Sequence, residues 1–228
     1  MRLRNLLASL SLVSAFAVVP LQAQFAGTGP RDSFRDTSVL RPKAGSKVSV
    51  IVFEDLGCPA CARAHPQEIE ATQKLHVPLI RYDFPIPAHI WTFDGAVVAR
   101  YLQEKVNPAL ANEYRSAVFA SQMSIASKDD LRNFNTHWMQ QHSQQMPFVI
   151  DPAGELAAKV KADFNLGLRL NVIFTPTVVV VTNNGYQVVC GAKEGPSDAS
   201  QLAAVIQGAI AQTKSVSSVT PVSTSHRR

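Results

Sequence analysis

The sequence has only three cysteines in 228 residues. Small secreted proteins that depend on disulfide bonds for stability carry many more cysteines in shorter chains. A scaffold held together by disulfides is therefore excluded. A chain of this length can instead bury one good hydrophobic core, with room for a second lobe.

The sequence also lacks a strong charge imbalance. Its 22 basic and 17 acidic residues give a net charge of +5, and the excess is spread along the chain. Binding to nucleic acid or to an acidic membrane surface needs basic residues in a stripe or patch. The composition therefore predicts no nucleic-acid partner, and the mild positive excess is expected on a solvated surface.

Long apolar runs are missing beyond the N-terminal region, where residues 1–23 have the pattern of a cleaved signal peptide. Arg2 and Arg4 precede a 14-residue apolar run, and Ala23 offers a small residue for cleavage. This run is short for a membrane span. The pattern predicts a periplasmic or secreted protein with a mature net charge of +3. An uncleaved membrane anchor is the less favoured alternative, because Leu21 is large for a cleavage site.

The remaining chain predicts strands and helices in a definite order. The order is a leader at 24–44, a buried strand at 47–53, a helix at 60–75 containing Pro66, a strand at 77–84, four helices, a β-hairpin at 177–191 around Asn183-Asn184-Gly185, a helix capped by Ser197 or Asp198, and a disordered tail at 214–228. The four helices start at Asp94, at Pro108, at a cap on Asp129 or Asp130, and at a cap on Asp151 followed by Pro152. This order predicts an α/β sheet covered on both faces, with a helical lobe and no internal repeat.

What the sequence does have is Cys58-Pro59-Ala60-Cys61, placed between the first strand and the first helix. At the start of a helix, unpaired backbone N–H groups and the helix dipole stabilise a negative charge. The first sulfur is therefore expected to favour its thiolate form, which is the species that attacks disulfides. The motif predicts a redox centre.

Two metal sites share the same cysteine spacing. A zinc site would need two further thiolate or imidazole ligands at suitable spacing. Cys190 is the one remaining cysteine, and His65, one helical turn after Cys61, has no second CxxC to meet it. A c-type haem would need a histidine directly after Cys61, where Ala62 stands. We therefore expect no metal and no cofactor besides the cysteine pair.

Thr175-Pro176 stands directly before the apolar strand at 177–182. A proline that enters a strand from a tight turn is a candidate for a cis peptide bond, although an ordinary trans bond is commoner. A cis bond here would bring the loop close to the cysteine pair. It would also leave the backbone of Thr175 available to an extended substrate.

Three segments together resemble the DsbA-like thiol:disulfide oxidoreductases of the thioredoxin-fold superfamily. The segments are 53–66 around the cysteine pair, 83–89 (Asp-Phe-Pro-Ile-Pro-Ala-His) and 174–177 (Phe-Thr-Pro-Thr). The resemblance covers about residues 45–212. It implies a thioredoxin-like fold, a mixed central sheet flanked by helices, at 45–93 and 164–213. The helices at 94–163 resemble the helical domain inserted in that family.

The resemblance also implies the roles of individual residues. Cys58 would be the reactive sulfur and Cys61 the buried resolving partner, while Pro59 and Ala60 would tune the redox balance. Pro176 would be cis, and Thr175 would present its backbone to the substrate. The implied activity is oxidation of dithiols in unfolded or reduced exported proteins, with a membrane redox partner for recycling. A reductase or isomerase, and a peptide-binding module with an idle disulfide, are the alternatives.

Two positions depart from the family pattern. A buried acid is common six residues before the first cysteine, but Val52 stands there. Glu54 and Asp55 could replace it, although alternation places them on opposite faces of the chain, and both are expected either in a solvated turn or as charges that lead into the helix. Ala60 cannot donate a hydrogen bond to a Cys58 thiolate, which predicts weaker oxidising power.

Other residues that could carry chemistry are expected to be structural. Cys190 is predicted to be buried and inert, because cysteines outside redox sites are among the most buried residues. His89 is expected to be a hydrogen-bonded structural histidine, and Trp91 and Trp138 are expected in the core. No role is assigned to His65.

Overall fold

The computed structural model describes residues 34–190 and 201–217. The signal peptide, the start of the leader, the caps at Ser197 or Asp198 and the end of the tail are predictions that lie outside the described residues. The strands are β1 (Val48–Glu54), β2 (Leu79–Asp83), β3 (Thr177–Thr182) and β4 (Gly185–Cys190). The α-helices are α1 (Pro59–Lys74), α2 (Thr92–Tyr101), α3 (Pro108–Ser121), α4 (Lys128–Gln141), α5 (Glu155–Leu170) and α6 (Leu202–Ser217).

The strands of the described residues form one mixed sheet in the order β2-β1-β3-β4. β1 pairs in parallel with β2 and antiparallel with β3, and β3 and β4 form an antiparallel hairpin. All seven residues of β1 are buried. Its uninterrupted apolar sequence predicted this position, because a strand covered on both faces has no solvent-facing side that needs polar residues.

Alternate residues of the two central strands face two separate cores. Val50 and Val52 pack with Val178 and Val180 on the face covered by α1 and α6. The residues between them pack on the opposite face with Phe84 and with Leu170 at the end of α5 (Ile51, Phe53, Val179 and Val181). The sheet is therefore covered on both sides, as predicted from the order of elements.

Helices α2, α3 and α4 enclose a third core, which forms the helical lobe. Buried Tyr114, Val118, Trp138 and other apolar residues belong to it. Cys58 and Cys61 belong to the same cluster. The cysteine pair therefore lies where the lobe packs against the start of α1.

Three predicted helix boundaries differ from the structure, the first being that of α2, which starts at Thr92 and not at Asp94. Helix α4 is capped by Ser127, whose hydroxyl accepts the N–H of Asp130 at 3.0 Å. Helix α5 starts at Glu155 and not at Pro152, because Gly154 has the left-handed φ of 72° just before it. Asp151 still contributes to this helix start by accepting the N–H of Ala157 at 2.8 Å.

The ends of two helices also differ from the predicted domain limits. Helix α5 continues to Leu170 and crosses the predicted limit at 163, since its last turn belongs to the core beside the sheet. Helix α6 continues to Ser217, so the first residues of the predicted tail are helical. Among the described helices, none has the length and apolar character needed to cross a membrane.

Helix α5 packs closely against Phe84 at Gly167, where a larger side chain would not fit. A Cβ at this position would lie 2.5 Å from two ring atoms of Phe84. That ring stacks on Phe164, with centroids 4.7 Å apart, and packs edge-on against Phe53, so it has little room to move. We expect Gly167→Ala to lower the free energy of unfolding by about 1–3 kcal/mol, measured by urea denaturation.

The matched control for this substitution is Gly208→Ala on α6. Apart from its chain neighbours and the backbone of its own helix, no atom of the described residues lies within 4 Å of a Cβ built there. Alanine favours the helix over glycine, so this variant is expected to gain about 0.5–1 kcal/mol. Equal effects of the two substitutions would contradict the close packing of α5.

Candidate active site

The reactive cysteine stands at the junction of β1 and α1. Cys58 is the residue that precedes the first helical residue, Pro59. Proline suits this position because its missing N–H would have no partner in the first helical turn. The sulfur of Cys58 therefore lies at the positive end of the helix dipole, as the sequence predicted.

The two thiols of the pair have opposite acidities. A hydrogen bond from the thiol of Cys61 lowers the pKa of Cys58 to about 6, helped by the backbone N–H groups of Ala60 and Cys61 and opposed by burial. Burial raises the pKa of Cys61 well above 9.0, and the charges of Cys58 and Glu54 add to this effect. Near neutral pH, Cys58 is therefore a thiolate and Cys61 holds its proton, which is the division of roles that thiol–disulfide exchange needs.

The loop before β3 closes over the reactive sulfur. The Thr175–Pro176 peptide bond is cis, as predicted. The Sγ atom of Cys58 lies 3.2 Å from the carbonyl oxygen of Thr175, to which the protonated thiol donates. The hydroxyl of Thr177 donates to the carbonyl of Phe174 at 2.8 Å and fixes this turn. The structure thus brings together residues that are 117 positions apart in the sequence.

The helical lobe fixes the backbone on the other side of Cys58. Gln122 directly follows α3. Its side-chain amide donates to the carbonyl of Leu56 at 2.6 Å and to that of Cys58 at 3.1 Å. No sequence motif marked Gln122. Its role depends on where α3 ends relative to the loop, and the sequence carries no local signal for that.

Asp55 fixes the turn between β1 and Cys58. Its carboxylate accepts the backbone N–H of Gly57 at 2.9 Å and that of Ile86 at 3.1 Å. It also lies 2.5 Å from Nδ1 of His89. The expectation of a solvated Asp55 was wrong, since the residue is 1% exposed. The expectation of a hydrogen-bonded structural His89 is confirmed.

The sequence profile of the family described as Thioredoxin matches residues 36–207. The chain belongs to this thioredoxin family. A search of curated protein sequences found no significant match.

Solved structures of similar fold place this thioredoxin-family chain among DsbA-like proteins in architecture. BdbD from Bacillus subtilis is 16% identical and has a TM-score of 0.59, with 75% of this chain and 91% of that chain covered. A variant of α-DsbA1 from Wolbachia pipientis is 14% identical, with a TM-score of 0.57 and coverages of 78% and 99%. A putative protein-disulfide isomerase from Pseudomonas syringae is also 14% identical, with a TM-score of 0.54 and coverages of 74% and 98%.

The sequence did not indicate that Glu54 is buried. It was expected in a solvated turn, but it is the buried last residue of β1 and is 3% exposed. Its charge helps to raise the pKa of Cys61. In this thioredoxin-family protein Glu54 therefore supplies the negative charge near the resolving thiol, while Val52 is buried in the apolar core between the sheet and α1.

A buried network of ion pairs connects Glu54 to the helical lobe. Arg115 on α3 is 1% exposed and binds Glu54 at 3.1 Å and Asp83 at 2.8 Å. Further pairs complete the network: Arg81 with Glu54 at 2.6 Å, Arg81 with Glu68 at 3.6 Å, Arg100 with Asp83 at 2.6 Å, and Arg100 with Asp163.

Glu54, His65 and Glu68 are close enough to be considered as metal ligands, with ligand atoms within 4.8 Å of one another. Arg81 and Arg115 already pair with Glu54, however. A cation placed here would face two guanidinium groups. The arrangement fits an internal charge network better than a metal site.

The acidity of Cys58 can be measured by the rate of alkylation with iodoacetamide as a function of pH. We expect a midpoint at a pH of about 6. Cys61→Ala removes the thiol that contributes most to the low pKa, so the midpoint should rise towards the ordinary value of 9.0. Cys190→Ala is the control, because Cys190 packs in the separate core beneath α6. An unchanged midpoint in the Cys61→Ala variant would rule out the proposed hydrogen bond.

The ion-pair network predicts a strong and pH-dependent effect of Arg115→Met. The substitution leaves buried carboxylates without their partner, which should cost about 3–5 kcal/mol of unfolding free energy at neutral pH. Burial tends to raise the pKa of Asp83, but Arg115 and Arg100 outweigh it and hold this pKa below 3.8. The ionised form of Asp83 therefore stabilises the fold at pH values above 3.8. This contribution to the free energy of unfolding is lost as the pH falls through the lowered pKa. The difference in unfolding free energy between wild type and Arg115→Met should therefore become smaller under acid conditions.

Arg132→Met is the matched control for this network. Arg132 lies on α4, is 71% exposed and pairs only with Asp129 at the surface in the described structure. Such exposed pairs contribute about 0–1 kcal/mol. Urea denaturation should give this variant nearly wild-type stability, and a loss as large as that of Arg115→Met would refute the special role of the network.

Proposed function

We propose that this protein is an exported thiol:disulfide oxidoreductase that oxidises dithiols in other exported proteins through a Cys58–Cys61 disulfide. The observation that supports it most is the thiolate-favouring Cys58 at the start of α1, 3.2 Å from the loop at Thr175–Pro176. A substrate thiolate attacks Cys58, and Cys61 leaves. The second substrate thiolate then attacks the mixed disulfide and displaces Cys58, which its low pKa makes a good leaving group.

The acidity of Cys58 supports an oxidant of intermediate strength. Stabilising the reduced form of the pair makes its disulfide more oxidising. The pKa of about 6 for Cys58 lies between about 7 in thioredoxin and about 3.5 in DsbA. Ala60 agrees with this, because its methyl group adds no hydrogen bond to the thiolate.

The surface next to the cis-proline loop supports unfolded proteins as substrates. Ile173 is 63% exposed and Phe174 is 43% exposed, directly before Thr175. An extended, partly apolar segment could pack on these side chains while its cysteine reaches Cys58. The same surface would serve the alternative of a peptide-binding module, but binding alone gives no reason for the low pKa of Cys58.

Export and recycling complete the proposal. The N-terminal pattern at 1–23 directs the protein to a compartment where disulfides persist, the periplasm or the exterior. A membrane redox partner then reoxidises the cysteine pair, and no further cofactor is needed. A reductase would use the same residues with the opposite electron flow, and an isomerase would use them in the reduced state with no net electron flow. The reduction potential therefore decides between an oxidase and these alternatives.

We expect the reduction potential of the Cys58/Cys61 pair, measured in glutathione buffers, to lie between about −120 and −270 mV, the values of DsbA and thioredoxin. The oxidised protein should then transfer its disulfide to a reduced dithiol peptide. A potential at or below that of thioredoxin would contradict the oxidase and favour the reductase.

Two variants control this experiment. Cys58→Ser should lose peptide oxidation entirely, whereas Cys190→Ala should keep it, because Cys190 is buried beneath α6. If Cys58→Ser oxidises the peptide as fast as wild type, the protein is a binding module and not an oxidoreductase.

A further inference from the structure

A line of buried polar groups leads from the resolving cysteine into the protein. Cys61, His65 and Glu68 follow one another on α1 at i, i+4 and i+7, and therefore lie on one face of the helix. All three are buried. Glu54 joins this line from β1, with a ligand atom within 4.8 Å of those of His65 and Glu68.

The two carboxyl groups of this cluster differ in their partners. Glu54 pairs with Arg81 at 2.6 Å and with Arg115 at 3.1 Å. Among the described residues, Glu68 has one basic partner, Arg81 at 3.6 Å, and its Oε2 atom accepts no hydrogen bond from them. Burial, followed by the charge of Glu54, raises the pKa of Glu68 to about 8, against the effect of Arg81. Glu68 therefore holds a proton near neutral pH, while its neighbour is paired as an anion.

His65 supplies a neutral group beside this acid. Its Nε2 atom lies 2.8 Å from the hydroxyl of Ser116, and that hydroxyl donates its single hydrogen to the carbonyl of Asn112. Nε2 must therefore be the donor, which leaves the lone pair on Nδ1, a buried atom without a partner in the described structure. Burial lowers the pKa of His65 to about 4, so the imidazole is uncharged.

We propose that Glu68 is a positioning residue that holds the proton needed by Cys61 and delivers it, through Glu54 and His65, when the disulfide opens. This inference rests on the proposed function. Attack of a substrate thiolate on Cys58 forms the mixed disulfide and breaks the Cys58–Cys61 bond, and Cys61 leaves with the electron pair. The Cys61 thiolate then gains a proton, and Glu68 becomes a carboxylate.

The direction of this proton transfer follows from the two environments. The pKa of Cys61 lies well above 9.0, whereas that of Glu68 is about 8. The thiolate of Cys61 is therefore the stronger base and takes the proton. Without a nearby donor, this thiolate would stay charged in a buried site beside the negative Glu54, which is costly.

Glu68 lies close to an open cleft, from which it can regain its proton. Arg81 lines a cleft of about 950 Å³ beside β2, and so does Thr72, one turn after Glu68 on α1. The hydroxyl of Thr72 donates to the backbone carbonyl of Glu68 at 2.6 Å. The acid is thus one layer below an open surface, while Cys61 itself is only 2% exposed.

The test is the single-turnover rate at which the oxidised protein reacts with a reduced dithiol peptide, corrected for the thiolate fraction of the peptide. For wild type this rate should fall as the pH rises through about 8, because Glu68 then loses its proton. Glu68→Gln should be about tenfold slower or more near neutral pH, and its corrected rate should no longer fall. Glu70→Gln, the same change on the exposed side of α1, should match wild type in rate and profile.

A second reaction separates this role from a general loss of structure. Alkylation of Cys58 in the reduced protein does not require Cys61 to leave, so Glu68→Gln should keep the wild-type alkylation rate. If that variant does not fold, Glu68→Asp decides: it should be slower than wild type but keep the fall at alkaline pH.

The outcomes also separate this inference from the proposed function. If wild type fails to oxidise the peptide, the proposed function is wrong. If wild type oxidises it and Glu68→Gln, or Glu68→Asp in its place, behaves like Glu70→Gln in rate and pH profile, only the role of Glu68 is overturned.

Discussion

The approach of the Cys58 sulfur to the carbonyl of Thr175 is the contact on which the rest of the structure depends. It requires β1 and β3 to be neighbours in the sheet, since Cys58 follows the end of one strand and Thr175 precedes the start of the other. The antiparallel pairing of Phe53 with Thr177 places these two points at the same edge. The sulfur of Cys58 and the backbone of Thr175 thus meet because the two central strands of the sheet pair in this register.

The buried ion pairs hold the second side of the site. Arg115 comes from the helical lobe, and the acids that it binds come from the ends of β1 and β2. The lobe is therefore attached to the sheet through charges as well as through apolar packing. Glu54, one of the acids that Arg115 binds, also helps to raise the pKa of Cys61.

The local patterns predicted much of the fold correctly. The uninterrupted apolar run predicted β1 as a fully buried strand, and Asn183-Asn184-Gly185 predicted the hairpin turn. Helix boundaries were less accurate where a side chain acts across several residues. Asp151 was predicted to cap a helix that starts at Pro152. The helix instead starts after Gly154, and the carboxylate of Asp151 reaches across this turn to accept the N–H of Ala157.

The buried charges could not be predicted in the same way. Arg81 and Asp83 alternate with Ile80 and Tyr82 along β2, which looks like a half-exposed strand in the sequence. Whether the polar side of such a strand faces water or an arginine from α3 depends on how the lobe packs. No local pattern carries that information, because each partner is far away in the chain.

The sequence by itself determined the chemistry of the redox pair: two cysteines at a strand-to-helix junction, a proline at the first helical position, and a candidate cis-proline loop. These features are local, and elementary backbone physics acts on them within a few residues. Only the tertiary structure decided that Glu54, Asp55, His65 and Glu68 are buried around this pair. Burial is a property of the packed chain, and a carboxyl group changes from a solvated charge to a proton carrier only when packing removes its water.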